Sequence, residues 1–184
     1  ALGMGGAGLL GAANVPPPHA ERVGLRGLRG RQLLPLLLLL PVALLASEVD
    51  NIVTALLPAP EVPPAVQEAV EETASDTRLS LLETAIVGVG LVPVVEEWFF
   101  RGIVQQGLIA AMGAAAGIFV TALFFALGHG AGLTPQAWAS LLAQALLLGI
   151  IYGYARHKTG SLLAPILLHV GVNGLGVAAM AAKH

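Results

Sequence analysis

The pattern of apolar and polar positions divides the chain into long apolar blocks, parted by short polar, Gly-rich or Pro-rich stretches. Residues 1–14, rich in Gly and Ala, read as the tail of a truncated helix that ends at Pro16-Pro17-Pro18. Residues 20–31 carry Arg22, Arg26, Arg29 and Arg31 and read as a basic loop. Residues 32–57 predict an apolar helix that turns polar over Ser47-Glu48-Val49-Asp50-Asn51. At about 1.5 Å per residue Glu48 lies roughly 24 Å from Gln32, so these acids mark the far end of a span rather than a site. Residues 58–78, with Pro58, Pro60, Pro63 and Pro64 and the acids Glu68, Glu71, Glu72 and Asp76, read as an external loop. Those acids lack the spacing and central Gly of a calcium loop and read as a solvated face.

The second half is more regular. Residues 79–112 predict one long helix, more than the roughly 20 residues a bilayer requires. Gly113 marks a turn, and residues 114–130 predict a second helix carrying Phe125 and His129. Thr134-Pro135 suits an N-cap and first turn for a helix over 135–155. Residues 156–160 read as a short basic loop, and Ser161 as the cap of a last helix over 161–182. With 79–112 as a single span, both basic loops fall on the cytoplasmic side, as the positive-inside rule requires. Splitting that span at Pro93 would put the second one outside.

Composition sharpens this picture. The chain has 184 residues, 56% hydrophobic and 11% charged, against about 25% charged for a soluble domain. Its mean hydropathy is +0.81. The expected fold is therefore an all-α, polytopic transmembrane helix bundle. Residues 1–31 form a partial N-terminal helix and a basic cytoplasmic loop, and residues 32–184 a transmembrane domain with its motif core at 79–175. A net charge of -2 argues against a nucleic-acid partner, and the lack of cysteine excludes disulfides and thiolate metal sites. No basic region precedes the apolar start, so we read no signal peptide.

Charge is what such a chain normally excludes, which draws attention to Glu96-Glu97-Trp98-Phe99-Phe100-Arg101. Glu97 and Arg101 are spaced i,i+4 and suit an ion pair, a structural clamp. Glu96 is turned about 100° away and stays available for chemistry. Glu96 lies 17 residues before Gly113 and His129 16 after it, so a hairpin brings both to one depth. His169 and Asn173, four apart on one helical face, also fall inside the last span. Each alone reads as interhelical glue. Their convergence at one level instead favours a site within the membrane, where Glu96 and His129 polarise a water and His169 and Asn173 stabilise an oxyanion. Gly149 and Gly153 read as a small-xxx-small packing pair. Trp98, Trp138, Tyr152 and Tyr154 read as interfacial aromatics, with no chemistry assigned.

These residues resemble the CPBP family of intramembrane proteases, which covers the type II CAAX prenyl endopeptidases and the bacterial Abi proteins. The family's Glu-Glu-x-x-x-Arg is matched by residues 96–101. Its Phe-x-x-x-His is matched by Phe125 to His129, and its His-x-x-x-Asn by His169 to Asn173. The resemblance implies peptide-bond hydrolysis inside the bilayer, with Glu96 and His129 activating water and His169 and Asn173 forming the oxyanion site. Its partners would be the lipid bilayer and a peptide or membrane-protein substrate, in a multi-pass protein of, we expect, the bacterial cell membrane. Zinc is conceivable with two His and a Glu. No His-Glu-x-x-His helix is present, so we expect a metal-free glutamate mechanism without cofactor. The competing readings are a non-catalytic immunity or scaffold protein of the same fold and a proton-relay transporter.

Overall fold

The computed structural model describes residues 6, 8, 10, 11, 13–15, 17–46, 48–57, 82–129 and 135–182. Among them all regular structure is helical. The short helix α1 (His19–Val23) lies within the segment expected to be a loop. α2 (Gly30–Leu45) and α3 (Glu48–Leu56) replace the single helix expected over 32–57. Pro35 and Pro41 withhold two backbone donors inside α2, and its last turn tightens where the Ala46 N–H bonds Ala43 O at 3.2 Å. The polar run then restarts the chain as α3, where the Asn51 amide donates to Glu48 Oε2 at 2.7 Å. The expected loop over 58–78 and the Thr134 cap lie outside the described residues, as does much of the Gly/Ala-rich start.

Residues 84–112 form one continuous helix, α4, in agreement with the expected single long element. It is not a uniform α-helix. Thr84–Leu91 is π-helical, Val92–Glu97 α-helical, Trp98–Val104 π-helical and Gln105–Met112 α-helical. The Val92 N–H reaches five residues back to Val87 O, and the Gln105 N–H five back to Phe100 O. When the register then returns to four, one carbonyl is passed over at each change: Gly88 O and Arg101 O. Pro93, with no N–H of its own, removes another possible donor near the first. Both skipped carbonyls are satisfied by side-chain amides. Asn173 Nδ2 donates to Gly88 O at 3.0 Å, and Gln106 Nε2 to Arg101 O at 2.9 Å. Buried backbone acceptors need such partners, and π segments of this kind gather at functional sites.

α5 (Ala114–Leu127) returns from Gly113 and pairs with the last part of α4. α6 runs from Pro135 to Thr159, so Arg156, His157 and Lys158 form its last turn rather than a loop. α7 (Leu163–Ala181) follows after Gly160, whose φ of +64° turns the chain. Ser161 acts as expected, its hydroxyl accepting the Leu163 N–H at 3.2 Å. α6 packs on α5 and α7, and approaches α5 closely at Gly149. A Cβ there would lie 2.9 Å from Ala122 Cβ and 3.0 Å from Ala122 Cα. One core cluster joins Leu36, Tyr152, Ala155, Ala164 and Leu168, and a second joins Phe100, Phe125, Ala126 and Ala145.

The two basic segments meet at one end of the bundle. Arg26 Nη2 donates to Thr159 O at 3.0 Å, Arg156 Nη2 to Arg22 O at 3.0 Å, and the Leu162 N–H to Gly24 O at 2.9 Å. The outer face of α2 is apolar: Leu34, Leu37, Leu38 and Leu45 are 64–67% exposed. Among the described residues α6 alone is long and apolar enough by itself to cross a membrane. α2 and α5 are shorter apolar helices.

Close packing at Gly149 yields a direct expectation. Gly149→Leu forces α5 and α6 apart and lowers stability by about 1–3 kcal/mol. Gly107→Ala, where a Cβ meets nothing within 4 Å, leaves stability unchanged or slightly raised. Thermal unfolding of the two variants in the same detergent distinguishes them.

Candidate active site

The middle of α4 places two carboxylates side by side on successive residues, and the helix twist sends them to different partners. Glu97 is fully buried. Its Oε1 accepts from Arg101 Nη1 at 3.0 Å, the i,i+4 pair expected from the spacing. The same oxygen also accepts from His169 Nδ1 at 3.0 Å, a contact that no local spacing contains. Arg101, equally buried, donates through Nη2 to Gly149 O at 3.2 Å, and its guanidinium carbon lies 4.4 Å from the Phe125 ring centroid. One turn on, Gln105 Nε2 donates to Gly153 O at 3.1 Å. The Gly149/Gly153 pair therefore does more than allow close packing, since its bare carbonyls accept from two side chains of α4. This buried cluster links α4, α5, α6 and α7. Breaking one partner of such a pair costs far more than a surface ion pair would.

Glu96 faces a different group. Its Oε2 stands 3.9 Å from His129 Nε2 and, among the described residues, is buried without a hydrogen-bond partner. His129 is not on α5 as the sequence suggested. α5 ends at Leu127, and His129 sits in the turn beyond, where its N–H bonds Ala126 O at 3.1 Å. The turn aims the ring: His129 Nδ1 lies 2.7 Å from Phe125 O, and a carbonyl can only accept. Nδ1 therefore carries the proton, and Nε2 is presented toward Glu96.

α7 supplies the remaining pair. His169 is held at Nδ1 by Glu97, and its ring stacks on Tyr152 with centroids 4.9 Å apart and planes 25° from parallel. Asn173 is anchored by the bond to Gly88 O, which uses one of its two amide hydrogens. Glu96, His129, His169 and Asn173 all line one cavity of about 190 Å³. The four side chains expected from the spacing to converge thus share one partly open cavity. A larger groove of about 480 Å³ lies elsewhere, between α2 and α6.

Two further polar side chains line the cavity that sequence reasoning did not place there, Gln144 and Tyr152. Tyr152 is fully buried, so its reading as an interfacial aromatic is overturned. The residue type suits both places equally, and only its stacking on His169 decides between them. Gln144 lies eight residues before Tyr152, two helical turns away, but nothing local distinguishes it from other polar positions on α6. The Glu97–Arg101 clamp expected from the spacing is present, and it also grips one of the site's own histidines, His169.

A zinc ion needs three or more convergent His, Cys or carboxylate donors. Among the described residues no three such side chains come together in that way. Both histidines use Nδ1 as a donor, to Phe125 O and to Glu97, which leaves Nε2 of each outside these bonds.

Two comparisons returned nothing: no curated protein and no solved structure matches the chain. A family model does, described as type II CAAX prenyl endopeptidase Rce1-like and matching residues 78–175, just over half of the sequence. That interval contains every side chain around the cavity, from Val92 to Asn173. The chain belongs to the Rce1-like family of type II CAAX prenyl endopeptidases, a family of membrane proteases.

Proposed function

We propose that this protein is an intramembrane endopeptidase in which Glu96 and His129 activate water and His169 and Asn173 stabilise the oxyanion. The observation that carries the reading is the shared cavity, with an unpartnered Glu96 carboxylate 3.9 Å from an imidazole nitrogen. An oxygen about 2.8 Å from each of those atoms lies within hydrogen-bond reach of both. Water held there gives its proton to Glu96 as its oxygen bonds the scissile carbonyl carbon. The resulting oxyanion takes hydrogen bonds from His169 and from the second amide hydrogen of Asn173. For His169 to donate, Nε2 must be protonated while Nδ1–H remains on Glu97, whose carboxylate offsets the imidazolium charge. Collapse of the intermediate breaks the C–N bond, and Glu96 returns its proton to the leaving amine.

Family membership supports a peptide or protein substrate. The multi-pass reading rests on α4 as one continuous helix over residues 84–112, on the apolar faces of α2, α5 and α7, and on α6. With the two basic segments at the cytoplasmic face, the cavity falls within the bilayer. The protein then works without a metal, and a bacterial cell membrane is its expected location.

Three outcomes test this reading. Glu96→Gln removes the base while keeping the shape, so cleavage of a membrane peptide falls by about 10²- to 10⁴-fold with unfolding unchanged. A mass-spectrometric comparison of membrane peptides from cells carrying either form reads it. Identical peptide sets would sink the protease assignment in favour of an immunity or scaffold role. Glu97→Gln leaves Arg101 buried without its anion and costs about 3–5 kcal/mol of stability, so it lowers the unfolding temperature as well as activity. Finally, cleavage persists in excess chelator. Loss that zinc alone restores would overturn the metal-free mechanism.

A further inference from the structure

Between α2 and α6, at the basic end of the bundle, runs a groove of about 480 Å³. Its walls change in character along its length. Gln32 Nε2 donates to Thr159 O at 3.2 Å, so the first turn of α2 lies beside the last turn of α6. At that level the groove is lined by Arg31 and Lys158. Moving away from it, the lining becomes Pro35, Leu36 and Leu39 on one side and Tyr154 and Ala155 on the other. Leu39 is eight residues beyond Arg31, about 12 Å along the axis. The groove is therefore cationic at one end and apolar for most of an acyl chain's first ten carbons.

The neighbouring cations have partners of their own. Arg26 donates to Thr159 O and Arg156 to Arg22 O. Arg31 and Lys158 are different: neither forms an ion pair with a described carboxylate. Lys158 Nζ lies 5.6 Å from the Tyr154 ring centroid, which keeps the ammonium along the groove wall. A lysine in the last turn of α6 complements the helix dipole and would need no further explanation. Arg31 has the opposite sense, a cation in the first turn of α2, where the dipole disfavours positive charge and no acid is present to relieve it. An anion between the two side chains would relieve the conflict of Arg31 with the dipole.

We propose that this groove binds an anionic glycerophospholipid, its phosphate between Arg31 and Lys158 and an acyl chain along Pro35, Leu36 and Leu39. The apolar length of the groove selects a lipid over a free phosphate ion. The adjoining face of α2 is apolar too, with Leu34 and Leu38 64–65% exposed. Basic sites between helices at the cytoplasmic boundary recognise head groups in this way. The inference is independent of the chemistry of the 190 Å³ cavity.

The test uses the full chain purified in detergent, titrated with phosphatidylglycerol or with phosphatidylcholine of the same acyl chains. Native mass spectrometry reads bound lipid, and thermal unfolding reads stabilisation. At roughly fivefold per cation, phosphatidylglycerol is expected to bind about 25-fold tighter than phosphatidylcholine. Arg31→Gln combined with Lys158→Gln brings the two lipids level, whereas Arg22→Gln, outside the groove, preserves the preference. Lys158→Gln alone, at an exposed position, loses about fivefold and keeps the test decisive if the double variant folds poorly. Equal affinity for the two lipids in the unsubstituted protein would overturn the proposal. So would a preference that survives the substitutions, or inorganic phosphate stabilising as well as the anionic lipid does.

Discussion

A single carboxylate oxygen, Glu97 Oε1, holds the middle of this molecule together. It lies 3.0 Å from both Arg101 Nη1 and His169 Nδ1. In an interior with little competing water, a buried guanidinium is tolerable only beside an anion, and a buried anion only with donors. The bonds from Arg101 to Gly149 O and across Phe125 then fix where α5 and α6 stand relative to α4. Through His169 the same oxygen sets the position of α7. Satisfying the buried charge and building the site are one requirement.

This explains why two adjacent acids have such different surroundings. Consecutive residues on a helix point about 100° apart. Glu97 therefore meets the guanidinium and one imidazole, while Glu96 meets the cavity and the other. An acid whose partners are already supplied is poorly available for proton transfer. An acid left without a partner beside an imidazole is not so limited. The difference in surroundings follows from which side of α4 each residue occupies, and the two π segments adjust that geometry by shifting the register around them. The first of these changes also gives Asn173 its anchor, because the carbonyl passed over at Gly88 needs a donor and the amide on α7 provides one.

The basic end of the bundle holds its cations in two different ways. Arg22, Arg26, Arg156, Thr159 and Ser161 form a latch of side-chain-to-backbone bonds that closes the α1–α2 segment over the α6–α7 turn. Gly160 belongs to this latch: besides its positive φ, a Cβ there would collide with the Arg26 guanidinium. Arg31 and Lys158 stand beside the latch without taking part in it. Cations that structure has already used differ here from cations that remain available to a ligand.

What the sequence determined by itself was local or periodic. Helical content, the Gly113 turn, the Ser161 cap and the Glu97–Arg101 pair all depend on residues within a few positions of one another, where spacing fixes geometry. The meeting of Glu96, His129, His169 and Asn173 at one cavity was legible because helix rise and turn positions favour it. Tertiary structure alone decided the rest. Residue type cannot tell an interfacial tyrosine from one stacked on a histidine. Nor can it show that the Glu97 carboxylate reaches His169, 72 residues away. The break between α2 and α3, the placing of His129 in a turn and the two π segments each depend on how backbone groups find partners after packing. One of those partners, Asn173, is 85 residues distant. Spacing along a helix is carried by the chain, whereas a shared oxygen between helices exists only once they have met.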